Sequence, residues 1–266
     1  MTPHPLNDAV TALMRDVAAR IVMPRFRQLA PSEIIEKAPD DLVTIADRES
    51  EIALGEGLTT LLRNSRVVGE EACAADPAII DTIGAGAVWI VDPIDGTHNF
   101  ASGHPPFAIM IALAEDGETQ ASWILDPVTD QLCHANKGGG ASIDGERVIA
   151  RGSGGALPVA GLSFTYLPKD IAADMQARAD GKLECAPIPR CAGEQYPRIV
   201  LGVNDISMFW RTYAWDHAPG ALFVTEAGGR VARFDGTPYA PTQTGTGMIA
   251  AATPELWDQA ARILVG

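Results

Sequence analysis

Two aspartates, Asp92 and Asp95, close the apolar run Ala87-Val88-Trp89-Ile90-Val91 across the turn Asp92-Pro93-Ile94-Asp95-Gly96-Thr97. The run reads as a buried strand, because β-branched and aromatic residues cluster in it and turn residues end it. The chain must therefore fold with two carboxylates at the end of a core strand, against an apolar interior. Carboxylates so close together repel unless protons or a cation neutralise them. Hard divalent cations prefer such oxygen ligands, and Mg²⁺ usually keeps positions open for water and substrate phosphate. A polar turn that uses Gly for its backbone freedom explains the same residues without a ligand.

Two further acidic clusters favour the cation. Gly69-Glu70-Glu71 follows the apolar pair Val67-Val68, and Trp215-Asp216-His217-Ala218-Pro219-Gly220 precedes Glu226-Ala227-Gly228-Gly229. Each lies at a strand or helix boundary, where a fold can bring them together. The set resembles the inositol monophosphatase family, which carries a GEE segment, a W-x-V-D-P-I-D-G-T-x-N-F segment and a W-D-x-A-x-G…E-A-G-G segment in this order. Residues Trp89 through Phe100 match the second in full. Lys37 and the stretch Asp41-Leu42-Val43-Thr44-Ile45-Ala46-Asp47 look like the family's lysine and its D-L-V-T-x-x-D element. The similarity extends from residue 6 to the C-terminus.

The resemblance implies an α+β fold, a layered αβαβα sandwich of the inositol monophosphatase and fructose-1,6-bisphosphatase type. We expect a single unit over 1–266, with subdomains 1–150 (an antiparallel sheet with N-terminal helices) and 151–266 (a mixed α/β layer), parted at the Gly/Ser punctuation Arg151-Gly152-Ser153-Gly154-Gly155. It further implies a Mg²⁺-dependent, lithium-sensitive phosphomonoesterase, a homodimer, in which Glu70, Asp92, the Ile94 carbonyl, Asp95 and Asp216 hold two or three Mg²⁺ ions. Glu71 would support them. Thr97 would orient the attacking water, itself oriented by Asp47 and Thr44, and Glu70 would help take the proton. Lys37 would stand near that water; a lysine in a polar turn is otherwise a surface residue. Asp216 also reads as the N-cap of a helix over 218–227, with Pro219 in its first turn. Gly96 and Thr97 suit phosphate, since a glycine turn opening a short helix offers backbone N–H donors.

Periodicity places helices over 6–29, with Val10, Leu13, Met14, Val17 and Ile21 on one side and Pro24 positioned to kink it, and over 46–63, with Ile52, Leu54, Leu58, Leu61 and Leu62 as the apolar face. Phe107–Leu113 and Ala121–Leu125, bridged by Glu115-Asp116-Gly117-Glu118, form a hairpin signal.

The net charge of −14 argues against nucleic acid as a partner, which needs Lys/Arg stripes. It also means that a phosphate substrate needs local positive charge, for which bound metal ions are the obvious source. Hydrophobic residues make up 47% of the 266, enough for a sizeable core. The four cysteines form no C-x-x-C pair, which speaks against zinc. We expect no signal peptide and no membrane span, hence a soluble cytoplasmic protein. The spacing of Asp92 and Asp95 fits neither an EF-hand nor the D-x-D of an aspartyl-nucleophile phosphatase, and no P-loop or G-x-S-x-G occurs.

The substrate is expected to be a small polyol or sugar phosphate, similar to inositol 1-phosphate. Histidinol phosphate, a sugar bisphosphate, a 3′-phosphoadenosine nucleotide and a non-catalytic binding role remain open. Two departures bear on it. The family's G-[ST]-A-A loop is Gly193-Glu194-Gln195-Tyr196 here, and Ser207–Ala214 lacks the glutamate usual before the third motif. Glu194 and Arg211 stand at those places and are the candidate substrate-discriminating residues, with Gly96, Thr97 and Asp216 completing the substrate site.

Overall fold

The computed structural model describes residues 2–38, 41–243 and 245–266, with the side chains of 37, 38 and 41 outside that description. Helix α1 (Asn7–Val17) runs through a π-helical turn, Ala18–Val22, into the single turn α2 (Met23–Arg25). The widened turn precedes Pro24, whose ring cannot accept the regular α-helical path and which has no N–H to donate. Strands β1 (Ile34–Ala38) and β2 (Asp41–Thr44) lead into α3 (Ile45–Leu61). Next come β3 (Arg66–Gly69), α4 (Glu70–Ala75), β4 (Ala87–Asp95), the short helix α5 (Thr97–Ala101), β5 (Ala108–Glu115), β6 (Glu118–Leu125), β7 (Leu132–Asn136), β8 (Gly140–Ile143) and β9 (Glu146–Val148). The remaining elements are β10 (Val159–Leu162), α6 (Lys169–Ala179), β11 (Glu184–Ala186), α7 (Ala192–Val200), β12 (Ile206–Arg211), α8 (Ala214–Glu226), β13 (Arg230–Arg233), β14 (Thr246–Ala251) and α9 (Pro254–Leu264).

Strands β3 to β9 form one sheet in sequential order, antiparallel except for the parallel pair β3 and β4. The expected hairpin is β5 and β6; its turn residues Asp116 and Gly117 both have positive φ, +49° and +81°, as a tight right-twisting turn requires. A second sheet has the order β11-β10-β12-β14-β13, with β10 parallel to both its neighbours.

The layers follow from which side chains each sheet must bury. On one face of the seven-stranded sheet Trp89, Val91, Ile109, Ile111 and Trp123 pack on Val10, Met14 and Val17 of α1 and on Leu54 and Leu58 of α3. On its other face Met110 and Ile124 meet Tyr196, Ile199 and Phe223 of α7 and α8, which also cover Phe209, Met248 and Ala250 of the second sheet. Beyond that sheet, Met175 and Ala179 of α6 and Trp257 and Ala260 of α9 cover Ile206, Met208 and Ile249. The result is helix, sheet, helix, sheet, helix, the αβαβα sandwich. Strands β4 and β5 are covered on both faces, so they read as near-continuous apolar runs. One expected core residue is outside: Ile52 is 63% exposed. It lies two residues from Leu54, about 200° around the helix, so both cannot face the sheet.

Helix α8 can lie against α7 because Gly220 has no side chain. A methyl there would overlap the fully buried ring of Tyr196. Alanine would gain about 1 kcal/mol of helix propensity. Overpacking a fixed ring costs about 1–3 kcal/mol, and the Tyr196 hydroxyl is tied to His217 at 2.8 Å, so the ring has little freedom to yield. Gly220→Ala should therefore lower the urea unfolding midpoint; an unchanged or higher midpoint would show that α8 moves aside freely.

Candidate active site

Three features of the backbone gather the acidic clusters. First, β3 and β4 are parallel, with Gly69 beside Val91. The residues that follow, Glu70 and Asp92, therefore emerge side by side at one edge of the sheet. Second, the pairing of β4 with β5 shifts between Asp92, opposite Met110, and Asp95, opposite Ala108. Three steps on β4 match two on β5, a β-bulge at Pro93-Ile94. In a regular strand residues three apart face opposite sides. The inserted residue cancels this. Val88 and Ile90 pack with Trp215 and Ala218 of α8, whereas Trp89, Val91 and Ile94 pack with α1 and α3. Asp92 and Asp95 thus share the α8 side. Third, α8 presents Asp216 toward them. Carboxylate oxygens of Asp92, Asp95 and Asp216 lie within 4.8 Å of one another. They floor a cavity of about 210 Å³ that Glu70, Ile94 and Thr97 also line.

Burial, and then the charges of Glu70, Asp95, Asp216 and Asp47, push the carboxyl of Asp92 well above the usual range. Burial also raises that of Asp95, against the Cys191 thiol, 3.0 Å from Oδ2, the Gly193 N–H, 2.6 Å away, and the backbones of Ala192 and Gly96. Burial and Asp95 push the Cys191 thiol up as well, so it stays protonated and serves as a donor. These groups are oxygen ligands with negative charge in excess, and no thiolate joins them. Such a donor set fits a hard divalent cation. The Ile94 side chain is fully buried on the opposite face, so Ile94 reaches the cavity through its backbone.

Thr97 stands beside this floor. Its hydroxyl lies 2.9 Å from the Ile94 carbonyl and 3.3 Å from Asp47 Oδ1. The other oxygen of Asp47 accepts the Thr44 N–H at 2.8 Å and the Thr44 hydroxyl at 2.6 Å, the N-terminal capping box of α3. Burial raises the Asp47 carboxyl to about 7, the Thr44 bonds opposing and Glu71 adding to the shift. Gly96 has φ +84°, and a side chain there would press on the Pro106 carbonyl and on Cys191. Its backbone turns to Asp95.

Some expectations change. Helix α8 begins at Ala214 with Tyr213 as its N-cap residue, so Asp216 is not the cap. It sits in the first turn, where the helix dipole still favours a carboxylate. Pro219 is then in the helix interior, past the first turn. Glu194 pairs with Arg198 on its own helix at 2.6 Å, and the cavity wall at this point is Gln195, the next residue around α7. Arg211 does line the cavity. Lys37 lies on β1, but its side chain falls outside the described residues.

Sequence reasoning missed Glu51. From α3 it accepts the N–H groups of Glu71 and Ala72, each at 2.8 Å, and so caps α4 from a distance. Gly69 leaves room for it, since a side chain there would collide with the Glu51 carboxylate. Tyr166 and Cys191 were also missed; both follow the ends of neighbouring strands, β10 and β11, where ligand sites of α/β sheets gather. His217 lies on the cavity wall with both ring nitrogens engaged, by the Tyr196 hydroxyl at 2.8 Å and the Arg211 carbonyl at 2.9 Å, and burial lowers its pKa to about 3.

A sequence model described as the inositol monophosphatase family matches residues 3–265, and the chain belongs to that family. It is thus a phosphoric monoester hydrolase by family. The inositol-1-monophosphatase of Rhizobium meliloti is 32% identical over 229 residues, 84% of this chain and 83% of that one. The chloroplastic phosphatase IMPL1 of Arabidopsis thaliana is 29% identical over 245 residues; the match takes in 85% of this chain but only 62% of that protein. Among solved structures, the extragenic suppressor protein suhB of Bartonella henselae superposes with a TM-score of 0.83 at 24% identity, covering 98% of each chain, which supports the fold.

The raised carboxyl groups make cation binding pH-dependent. Without a cation, the native chain keeps protons on Asp92 and Asp95 that the unfolded chain releases near the ordinary carboxylate pKa. That contribution to stability is present at low pH and lost as pH rises through the raised values. A divalent cation replaces those protons. The increase in melting temperature on adding a divalent cation should therefore grow as pH is raised from the ordinary carboxylate pKa, about 4. An increment independent of pH would contradict a cation bound by these carboxylates.

Proposed function

We propose that this chain is a Mg²⁺-dependent phosphomonoesterase that hydrolyses a small polyol or sugar phosphate by direct attack of water. The observation that carries this reading is the convergence of Glu70, Asp92, Asp95 and Asp216 on one cavity, with Thr97 and Asp47 beside them. Glu70, Asp92, the Ile94 carbonyl, Asp95 and Asp216 would hold two or three Mg²⁺ ions, which activate water and offset charge on the phosphate and the leaving alkoxide.

The protein's own groups supply positioning and proton handling. The Thr97 hydroxyl has one proton and two acceptors within reach. When it donates to the Ile94 carbonyl, Oδ1 of a protonated Asp47 can donate to it in turn. With its carboxyl near 7, Asp47 is partly ionised at neutral pH; in that form it accepts the Thr97 hydroxyl proton at Oδ1, and a proton taken up during attack leaves Asp47 protonated in the arrangement just described. Glu70 stands at the same cavity as a second acceptor. The side chains of Cys191 and His217 are excluded as nucleophile and base by the protonated thiol and the fully bonded ring. The relative from Rhizobium meliloti, named for inositol-1-monophosphatase activity, supports a polyol phosphate as substrate class. We extend the same reading to lithium sensitivity and to a homodimer.

Mg²⁺-dependent phosphate release from 4-nitrophenyl phosphate and from inositol 1-phosphate tests the activity. Asp95→Asn should cost more than the roughly 10–100-fold that loss of an outer partner of a metal ligand costs. Without metal its melting temperature should stay at or above that of the parent, since a buried carboxyl with a raised pKa is replaced by a neutral group. Near-parental specific activity at saturating Mg²⁺ would sink the assignment. Excess Ca²⁺ should inhibit at limiting Mg²⁺, because the larger ion tolerates irregular coordination without enforcing the octahedral geometry; activity indifferent to Ca²⁺ would count against the shared site.

A further inference from the structure

The cavity above shares Glu70, Arg211 and Asp216 with a second concavity of about 350 Å³, walled by Tyr213 and Trp215. Arg211, the last residue of β12, stands on the seam between them. Its guanidinium carbon lies 3.3 Å from the ring centre of Tyr166 and 5.5 Å from that of Tyr213. Tyr213 in turn stacks on Trp215, with centroids 5.0 Å apart and an interplanar angle of 17°. The backbone is held as well, because the Arg211 carbonyl accepts the His217 Nε2–H.

A guanidinium stacked on aromatic rings keeps its in-plane N–H edges for hydrogen bonding, and those edges form a planar fork that matches the paired oxygens of a carboxylate or phosphate. Among the described residues, the Arg211 side chain forms no ion pair and no hydrogen bond. Arg190, the other guanidinium on the cavity wall, is already engaged within the chain. A protein of net charge −14 thus sets a preorganised arginine, with no ion-pair partner among the described residues, beside its carboxylate floor.

We propose that Arg211 reads a second anionic group on the substrate, so that the site selects phosphate monoesters bearing a carboxylate or a second phosphate over uncharged polyol phosphates. This deepens the phosphomonoesterase reading and rests on it. The competing account is that Arg211 only offsets the charge of Glu70 and Asp216, which would act on every phosphate ester alike.

Two matched pairs separate the accounts and the two anion types. 3-Phosphoglycerate differs from glycerol 3-phosphate by a carboxylate, and fructose 1,6-bisphosphate differs from fructose 1-phosphate by a phosphate. For each pair, the ratio of kcat/KM with Mg²⁺ and the ratio of Kd by calorimetry are measured in the parent, R211A, R211K and Tyr166→Leu. The parent should prefer the more anionic member of at least one pair. R211A should reduce that preference roughly tenfold to a hundredfold, as loss of hydrogen bonds to a charged group does. R211K keeps the charge but not the fork and should restore it only in part. Tyr166→Leu, which removes the nearer of the two rings and leaves the guanidinium in place, should weaken it less than R211A. A parent that binds both members of each pair alike, an R211A that keeps the parental ratios, or an R211A in which both members fall together would overturn the proposal. An Arg211-dependent binding preference without turnover of any of the four esters would leave it standing and instead refute the hydrolytic reading.

Discussion

Mutual repulsion among Glu70, Asp92, Asp95 and Asp216 is the constraint around which this molecule is arranged. No chain gathers four carboxylates in a largely buried pocket spontaneously; something stiffer than the repulsion must hold them. Here two of them lie at the end of a strand covered on both faces by core, and Trp89, Val91 and Ile94 anchor that strand without exposure. The third leaves the neighbouring parallel strand, and the fourth comes from a helix packed between the two sheets. The apolar layers provide the stiffness, and the cluster sits where their edges meet.

Smaller interactions then set which oxygen of each carboxylate is committed. On Asp95, Oδ2 takes the Gly193 N–H and the Cys191 thiol, which fixes the rotation of the group. On Asp47, Oδ2 belongs to Thr44 and Oδ1 is left for Thr97. Glu51 caps α4 and so fixes the helix on which Glu70 is the first residue. Ligands held in this way cannot relax together when a metal site is empty, which keeps such a site preorganised.

Much of this was legible in the sequence, for identifiable reasons. The apolar run before Asp92 and the Asp116-Gly117 turn are short-range signals, and both correspond to elements at the expected places. The three acidic motifs come together, but the cause of the central one is not local. The spacing of Asp92 and Asp95 would put them on opposite faces of a regular strand, and only pairing with β5 reveals the bulge at Pro93 that brings them together. Side chains that act across long separations, such as Glu51 on α4 and Tyr166 on Arg211, leave no periodic trace. Glu194 shows the limit of motif position: one step along a helix is about 100°, enough to turn Glu194 toward Arg198 and put Gln195 on the cavity wall.

His217 explains why the wall and the floor of the cavity act as one body. It follows Asp216 in α8, yet its ring bonds the Arg211 carbonyl at the end of β12 and the Tyr196 hydroxyl of α7. A neutral ring with Nε2–H toward Arg211 and a bare Nδ1 toward Tyr196 satisfies both partners at once; a protonated ring would turn Nδ1 into a donor facing a hydroxyl that must then rotate. Burial holds the ring neutral down to about pH 3. The link therefore persists unchanged through the range in which Asp47 titrates. Titration of Asp47 does not break the His217 bond to the strand that carries Arg211, because the titrating group and the fastening group are different residues.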